Sequence, residues 1–182
     1  MLKSHFNINQ NEEEIRDEVE EEETAKQQLE QVEPEEIATS YLNKAQVRIR
    51  LSFLGKTADG DGYTYLKAAV TDMALTNIDI IKDFKHLQFL DVSSNLLDLT
   101  ALQVVTGLPY LILLQADKNR LSSAALKSMP YLQVMIFNNN NIKSVEDVFQ
   151  PELSTLEIGF NHLKELNFKN RMPEMKCLDF RN

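Results

Sequence analysis

The 182-residue chain carries 43% apolar residues, enough for one domain with a sizeable core, and a formal charge of −9. That charge is local: residues 1 to 44 hold 13 Asp/Glu against 4 Lys/Arg, which alone is −9, and the other 138 residues hold 15 of each sign. The body therefore presents no net field to draw in nucleic acid or an anionic membrane, and neither is expected as a partner. A single cysteine, Cys177, excludes an internal disulfide framework and fits a reducing compartment. The opening residues lack the apolar stretch of a signal peptide, and no apolar run approaches membrane-spanning length, so the sequence reads as intracellular and soluble.

Taken in chain order, residues 1–34 are rich in Glu, Gln and Asn, with too few aliphatic side chains to offset chain entropy, and read as a disordered acidic tail. The Glu runs at 12–14 and 20–23 read as a solvated tail, with a basic partner surface as the other reading. Residues 35–64 read as an N-terminal flanking and capping segment. Pro34 followed by Glu35 and Glu36 predicts a helix start, with Ile37, Tyr41, Leu42 and Ala45 at helical spacing. Val47, Ile49 and Leu51 then alternate with Arg48 and Arg50, a change to period two. Asp59-Gly60-Asp61-Gly62 predicts a turn.

Residues 65–182 repeat. The template Leu-x-x-Leu-x-Leu-x-x-Asn-x-Leu begins at Leu87, Leu111, Leu132, Leu153 and Met175, at spacings of 24, 21, 21 and 22 residues. In the four full copies the fourth position reads Leu90, Leu114, Met135, Leu156 and the sixth Val92, Ala116, Phe137, Ile158. The ninth reads Asn95, Asn119, Asn140, Asn161 and the eleventh Leu97, Leu121, Ile142, Leu163. A degenerate earlier copy starts at Tyr65, with Met73 in place of the asparagine, as suits a terminal repeat. The last copy breaks off at Asn182, one residue before its ninth position, so the chain reads as a fragment, a truncated paralogue or the product of an incomplete gene model, with an open sheet edge at Leu178 and Phe180 and poor solubility in isolation.

This periodicity predicts a leucine-rich-repeat α/β solenoid: a right-handed superhelix with a parallel concave β-sheet and short helical or 3₁₀ segments on the convex side. Return segments of about a dozen residues, such as Lys143 to Pro151, are too short for long helices, and Leu108-Pro109 and Met129-Pro130 close two of them. An Asn side chain both donates and accepts, so the four asparagines are expected to form a structural ladder that satisfies backbone groups turned inward by the tight coil.

Catalytic motifs do not assemble. Gly55-Lys56-Thr57 ends like a phosphate-binding loop, but Arg50 stands where its first glycine belongs. Asp59-x-Asp61 starts like a calcium loop, but Tyr63, Thr64 and Val70 replace the residues that would complete it. His86, His162 and Cys177 have no second ligand or base at compatible spacing. No catalytic residue, metal, cofactor or small-molecule substrate is expected, and the chain reads as a non-enzymatic binding module.

The third, fifth and seventh template positions are expected to face solvent on the concave sheet. The candidate partner-binding residues are Phe89 and Asp91, Leu113 and Gln115, Val134 and Ile136, and Thr155 and Glu157; Ser93, Asp117, Asn138, Gly159, Cys177, Asp179 and Arg181 share that side. Strands about 4.8 Å apart bring Phe89, Leu113 and Val134 side by side, an apolar row open to a partner or covered by the chain's own tail or flank.

From about residue 46 onward the chain resembles the leucine-rich-repeat-containing protein 23 family. The likeness lies in LSFLGKT at 51–57, HLQFLDVSSNLLDLTAL at 86–102, LQADKNRL at 114–121 and MPYLQVMIFNNNNI at 129–142. The resemblance implies a radial-spoke component of motile cilia, a structural protein of the axoneme that binds other spoke subunits. Lys118 departs from the pattern, standing where the family turn has glycine. The repeat length also resembles that of a protein phosphatase regulator and of an axonemal dynein light chain, so a regulatory subunit of an enzyme is the alternative; a ribonucleoprotein component fits the balanced body charge less well.

Overall fold

The computed structural model describes residues 38–181. The chain divides into units 1–38 and 39–182; the acidic tail and the helix start at Pro34 lie outside the described residues. Within 39–182 the ordered elements are helix α1 (Lys44–Arg48), strands β1 (Leu51–Lys56), β2 (Tyr63–Ala69) and β3 (Phe89–Asp91), helix α2 (Leu99–Leu102), and strands β4 (Leu113–Gln115), β5 (Val134–Ile136), β6 (Thr155–Glu157) and β7 (Cys177–Asp179). The strands form one seven-stranded sheet in sequence order, antiparallel between β1 and β2 and parallel thereafter. This is a leucine-rich-repeat solenoid.

Each coil exists because alternate strand residues point to opposite faces. The first, fourth and sixth template residues of the full copies are buried in one continuous core. Fully burying an aliphatic side chain of this size stabilises by about 1.5–3 kcal/mol before chain entropy opposes it. Strands β3 to β7 are three residues long, but the hydrogen-bonded ladder runs further: Gln88 N donates to Leu66 O, Val92 N to Gln115 O and Ser94 N to Asp117 O, and the later copies repeat the pattern. The convex returns differ in structure along the chain. Asp79–Asp83 and Gln103–Gly107 are 3₁₀, whereas the Lys143 to Pro151 return makes one turn, closed by Val148 N on Val145 O.

The flank differs from its sequence reading. The described part of the predicted helix is not helical before Lys44. Instead Tyr41 bridges Asn77 in parallel, Leu42 N donates to Asn77 O, and Thr76 N donates to Ser40 O, so pairing with the first coil overrides the helical spacing. Helix α1 begins where Asn43 and Gln46 form a capping box, each side chain accepting from the other's backbone N–H at 2.9 Å. Val47 belongs to that helix and is buried, while Ile49 is exposed, so the period-two reading there does not hold. Beyond it β1 adds an antiparallel strand to the array. The Asp59–Gly62 turn joins β1 to β2, with Thr57 N donating to Gly62 O and Gly60 at φ +81°. The Asp59 carboxyl is held below its usual value, chiefly by the nearby Thr57 hydroxyl and then by Asp61 N, which donates to Asp59 Oδ1 at 3.2 Å. Tyr65, the first position of the degenerate copy, is exposed, and Leu66 is buried beside it. A Cβ on Gly55 would meet the Leu66 side chain, so that glycine serves packing.

One backbone feature recurs in every coil. The residue before each ninth position lies in the left-handed region: Asp72, Ser94, Lys118, Asn139 and Phe160, at φ 51–56°. It costs a non-glycine residue about 1–2 kcal/mol, and asparagine tolerates it best. Phe160 is bulky and 62% exposed, so its ring returns little burial in exchange. Phe160→Gly should raise stability by about 0.5–1 kcal/mol after the added freedom of the unfolded chain is counted. Thermal unfolding reads this directly; a lower midpoint would mean that the ring stabilises the turn.

Candidate functional site

The asparagines lie inside the turn. Asn140 Oδ1 accepts from Asn119 N and Leu121 N, both at 3.1 Å, and its Nδ2 donates to Ala116 O, Phe137 O and Asn138 O at 3.0–3.2 Å. Asn95 is bonded in the same way, accepting from Met73 N and Leu75 N and donating to Val70 O, Val92 O and Ser93 O. Asn119 accepts from Leu97 N and Asn161 from Ile142 N, and each amide reaches one carbonyl in the preceding coil and two in its own. Each asparagine therefore ties two coils together. Met73, without a polar head, lends the ladder only its backbone N–H.

Two further polar ladders carry no consensus letter. On the concave side, Ser93 Oγ accepts from Asp117 N (3.2 Å), Asp117 Oδ1 from Asn138 N (2.7 Å), and Asn138 Oδ1 from Gly159 N (2.7 Å). The seventh position was expected to point freely into solvent; these three side chains are instead bound to the next coil, and Gly159, closed over by Asn138, is buried. On the convex side, Gln150, only 1% exposed, accepts from Met129 N and donates to Leu126 O and Lys127 O. Gln103, two coils before Gln150, meets the same return from the other side, accepting from Lys127 N and donating to Ala125 O. A single glutamine in a polar return carries no signal in the sequence, because only the stacking of coils shows what it bridges.

The third positions align across the sheet as Lys67, Phe89, Leu113, Val134, Thr155 and Cys177, and the fifth as Ala69, Asp91, Gln115, Ile136, Glu157 and Asp179. From Phe89 to Glu157 these side chains are half-buried. The apolar row therefore lies open on the concave face, with Ile136 alongside Val134. Among the described residues, the flank packs a ring against its first member. Phe53, in the left-handed region at φ 58°, stacks edge-on against Phe89, with ring centroids 5.9 Å apart at 80°. Phe53 itself is 61% exposed, so it extends the row more than it hides it.

Along the upstream margin of the sheet runs an aromatic stack that the repeat template gave no reason to expect. His86 lies parallel to Tyr110 at 6.1 Å, and Tyr110 to Tyr131 at 6.5 Å. These residues immediately precede Leu87, Leu111 and Leu132, and with Ala58, Gln88, Ile112 and Gln133 the tyrosines line a shallow depression. Among the described residues His86 Nδ1 has no hydrogen-bond partner. His162 is exposed in a turn and Cys177 exposed on β7, both on other coils. Among the described residues no three His, Cys, Asp or Glu side chains gather at one point, and no helix is long and apolar enough to cross a membrane.

The likeness to known proteins extends over most of the repeat array. Human leucine-rich repeat-containing protein 23 is 36% identical over 130 residues, covering 71% of this chain and 37% of the human protein. Its mouse counterpart is 32% identical over 166 residues, covering 90% of this chain and 48% of the mouse protein. The chain belongs to the leucine-rich-repeat-containing protein 23 family. The bovine member is 36% identical over 122 residues, covering 67% of the chain and 35% of that protein. The chain thus spans between 35% and 48% of the length of these relatives. No family model matches it. Membership in this family, together with the open concave sheet, makes the repeats a protein-interaction scaffold.

Proposed function

We propose that the chain is a non-catalytic structural component of the axoneme of motile cilia and flagella, a radial-spoke subunit in the cytoplasmic space of the cilium, and that Phe89, Asp91, Leu113, Gln115, Val134, Ile136, Thr155 and Glu157 form its contact surface with other spoke proteins. The observation that carries this reading is the unbroken row Phe89, Leu113, Val134, held in register on adjacent strands and open to solvent. Contiguous apolar surface on a rigid sheet is where solenoid proteins hold their partners. The axonemal assignment rests on the family likeness.

Fractionation of ciliated cells expressing the tagged chain tests the assignment. The chain is expected to stay with demembranated axonemes and to leave them only when spoke proteins are extracted. The second reading, a regulatory subunit of a protein phosphatase, is favoured by the 21–22-residue spacing from Leu111 to Met175. Recovery in the soluble fraction, bound to phosphatase, would replace the first reading with the second.

A further inference from the structure

The concave face carries a second pattern beside its apolar row. Between β3 and β6 the charged side chains at the third, fifth and seventh positions are Asp91, Asp117 and Glu157, all acidic. None of the three makes an ion pair among the described residues, in contrast to Asp179, which Arg181 neutralises from the next alternate position. Lys67 on β2 stands at one margin; at the downstream end Lys118 and Arg181 share a depression with Asp117 and Glu157, Arg181 being committed to Asp179, so the acidic groups there remain in excess. The bay is therefore apolar on its upstream side, with Tyr110 and Tyr131 beyond Leu113 and Val134, and acidic downstream.

The spacing selects a kind of backbone. Successive rungs of the sheet lie about 4.8 Å apart. A helix laid across the strands presents a side chain to the same face about every 5.4 Å, one turn. An extended segment presents one about every 6.7 Å. Over three rungs the helix drifts by roughly 1 Å and the extended segment by nearly 4 Å, so only the helix keeps apolar side chains on Phe89, Leu113 and Val134 together.

We propose that the concave face between β3 and β6 holds a helical segment of another protein, one with a single apolar stripe bordered by lysine or arginine. The stripe rests on the Phe89, Leu113, Val134 row, and the cations along its border face Asp91, Asp117 and Glu157. Charge complementarity of this kind sets which partner is accepted and how fast it docks. This rests on the reading of the concave sheet as a contact surface, and it names the occupant.

The test uses the full chain and three labelled 18-residue helical peptides, followed by fluorescence anisotropy at physiological salt. The first has leucines on one stripe with lysines along its border, the second has glutamates in place of the lysines, and the third keeps the lysines but has serine in place of leucine. The first is expected to bind at least about tenfold more tightly than either other peptide. Asp91→Lys with Glu157→Lys should reverse the preference between the first two; Asp117 is left alone because it holds Asn138 N. Neutralising the Glu runs at 12–14 and 20–23 should leave the preference intact. Equal binding of lysine and glutamate peptides, equal binding of the serine peptide, or loss of the preference with the tail glutamates would each overturn the proposal. The peptide comparison needs no variant to fold. A concave-face contact with axonemal protein that survives such a result would leave the scaffold reading standing and remove only its occupant.

Discussion

Asn140→Ala should destabilise the folded chain by roughly 3 kcal/mol or more, lowering the unfolding midpoint by about 6–12 °C. The variant removes one acceptor from the N–H groups of Asn119 and Leu121 and one amide from three carbonyls, all inside the coil, where Asn140 is 4% exposed. Each buried group left unpaired costs about 1–3 kcal/mol, and a water filling the space can offset only part of that. Asn140→Asp separates hydrogen bonding from volume, because it keeps the shape and turns the amide into a carboxylate facing three carbonyl oxygens. Burial and those acceptors raise its folded pKa above the unfolded value, so the folded state binds the extra proton more tightly. Its deficit relative to the parent should therefore be smallest below the unfolded carboxyl pKa and grow as pH rises through the folded one. Denaturant titrations at pH 4 and pH 7 measure both. A loss below 1 kcal/mol for the alanine variant would mean that the asparagines fill space without holding the coils.

Phe137→Ala should cost about 3–5 kcal/mol, the range for deleting a fully buried aromatic ring. Phe137 is the largest side chain in the core and takes a position that the other copies give to valine, alanine and isoleucine. Its neighbour across the ladder, Ala116, is the smallest of the four, and the register of β4 with β5 sets the two side by side. The pair reads as one large and one small residue sharing the volume of two medium ones. Ala116→Leu alone should then overpack by about 1–3 kcal/mol. Combined with Phe137→Ala it should be less destabilising than the sum of the single changes by more than 0.5 kcal/mol, the scale of coupling between touching residues. Additive losses would show that the two sites accommodate volume independently.

What could be read in the sequence was set by chemistry that leaves a letter behind. The asparagines recur because no other side chain both accepts from one or two N–H groups and donates to three carbonyls in that turn, and the leucines recur because every coil buries the same positions; four aligned copies make both visible. Other features depend on neighbours that the linear order does not reveal. Gln150 looks like any polar residue of a return until the preceding coil places Met129 N and Leu126 O against it. Ser93, Asp117 and Asn138 do one job with three different side chains, so no consensus forms. The left-handed residues are as diverse as Lys118 and Phe160, because the tight coil imposes the backbone and the side chain tolerates it. At the flank, the helical spacing of Tyr41, Leu42 and Ala45 is real but outweighed by pairing with Thr76 and Asn77.

The concave face was readable in outline and not in detail. Period two told which residues leave the core, and the register then aligned Phe89 with Leu113 and Val134. The reach of Phe53 over Phe89 and the His86, Tyr110, Tyr131 stack depend on a hairpin and on loop positions outside the template. The surface therefore extends further upstream than the strand pattern indicates.

Site-specific photo-crosslinking in intact axonemes tests the central claim, that the concave sheet is the working surface. A photoreactive residue at position 113, on β4 in the middle of the apolar row, is expected to join the chain covalently to another axonemal protein. The same residue at position 146, exposed on a convex return, is expected to give no adduct or only a trace. Strong adducts from position 146 and none from position 113 would contradict the account.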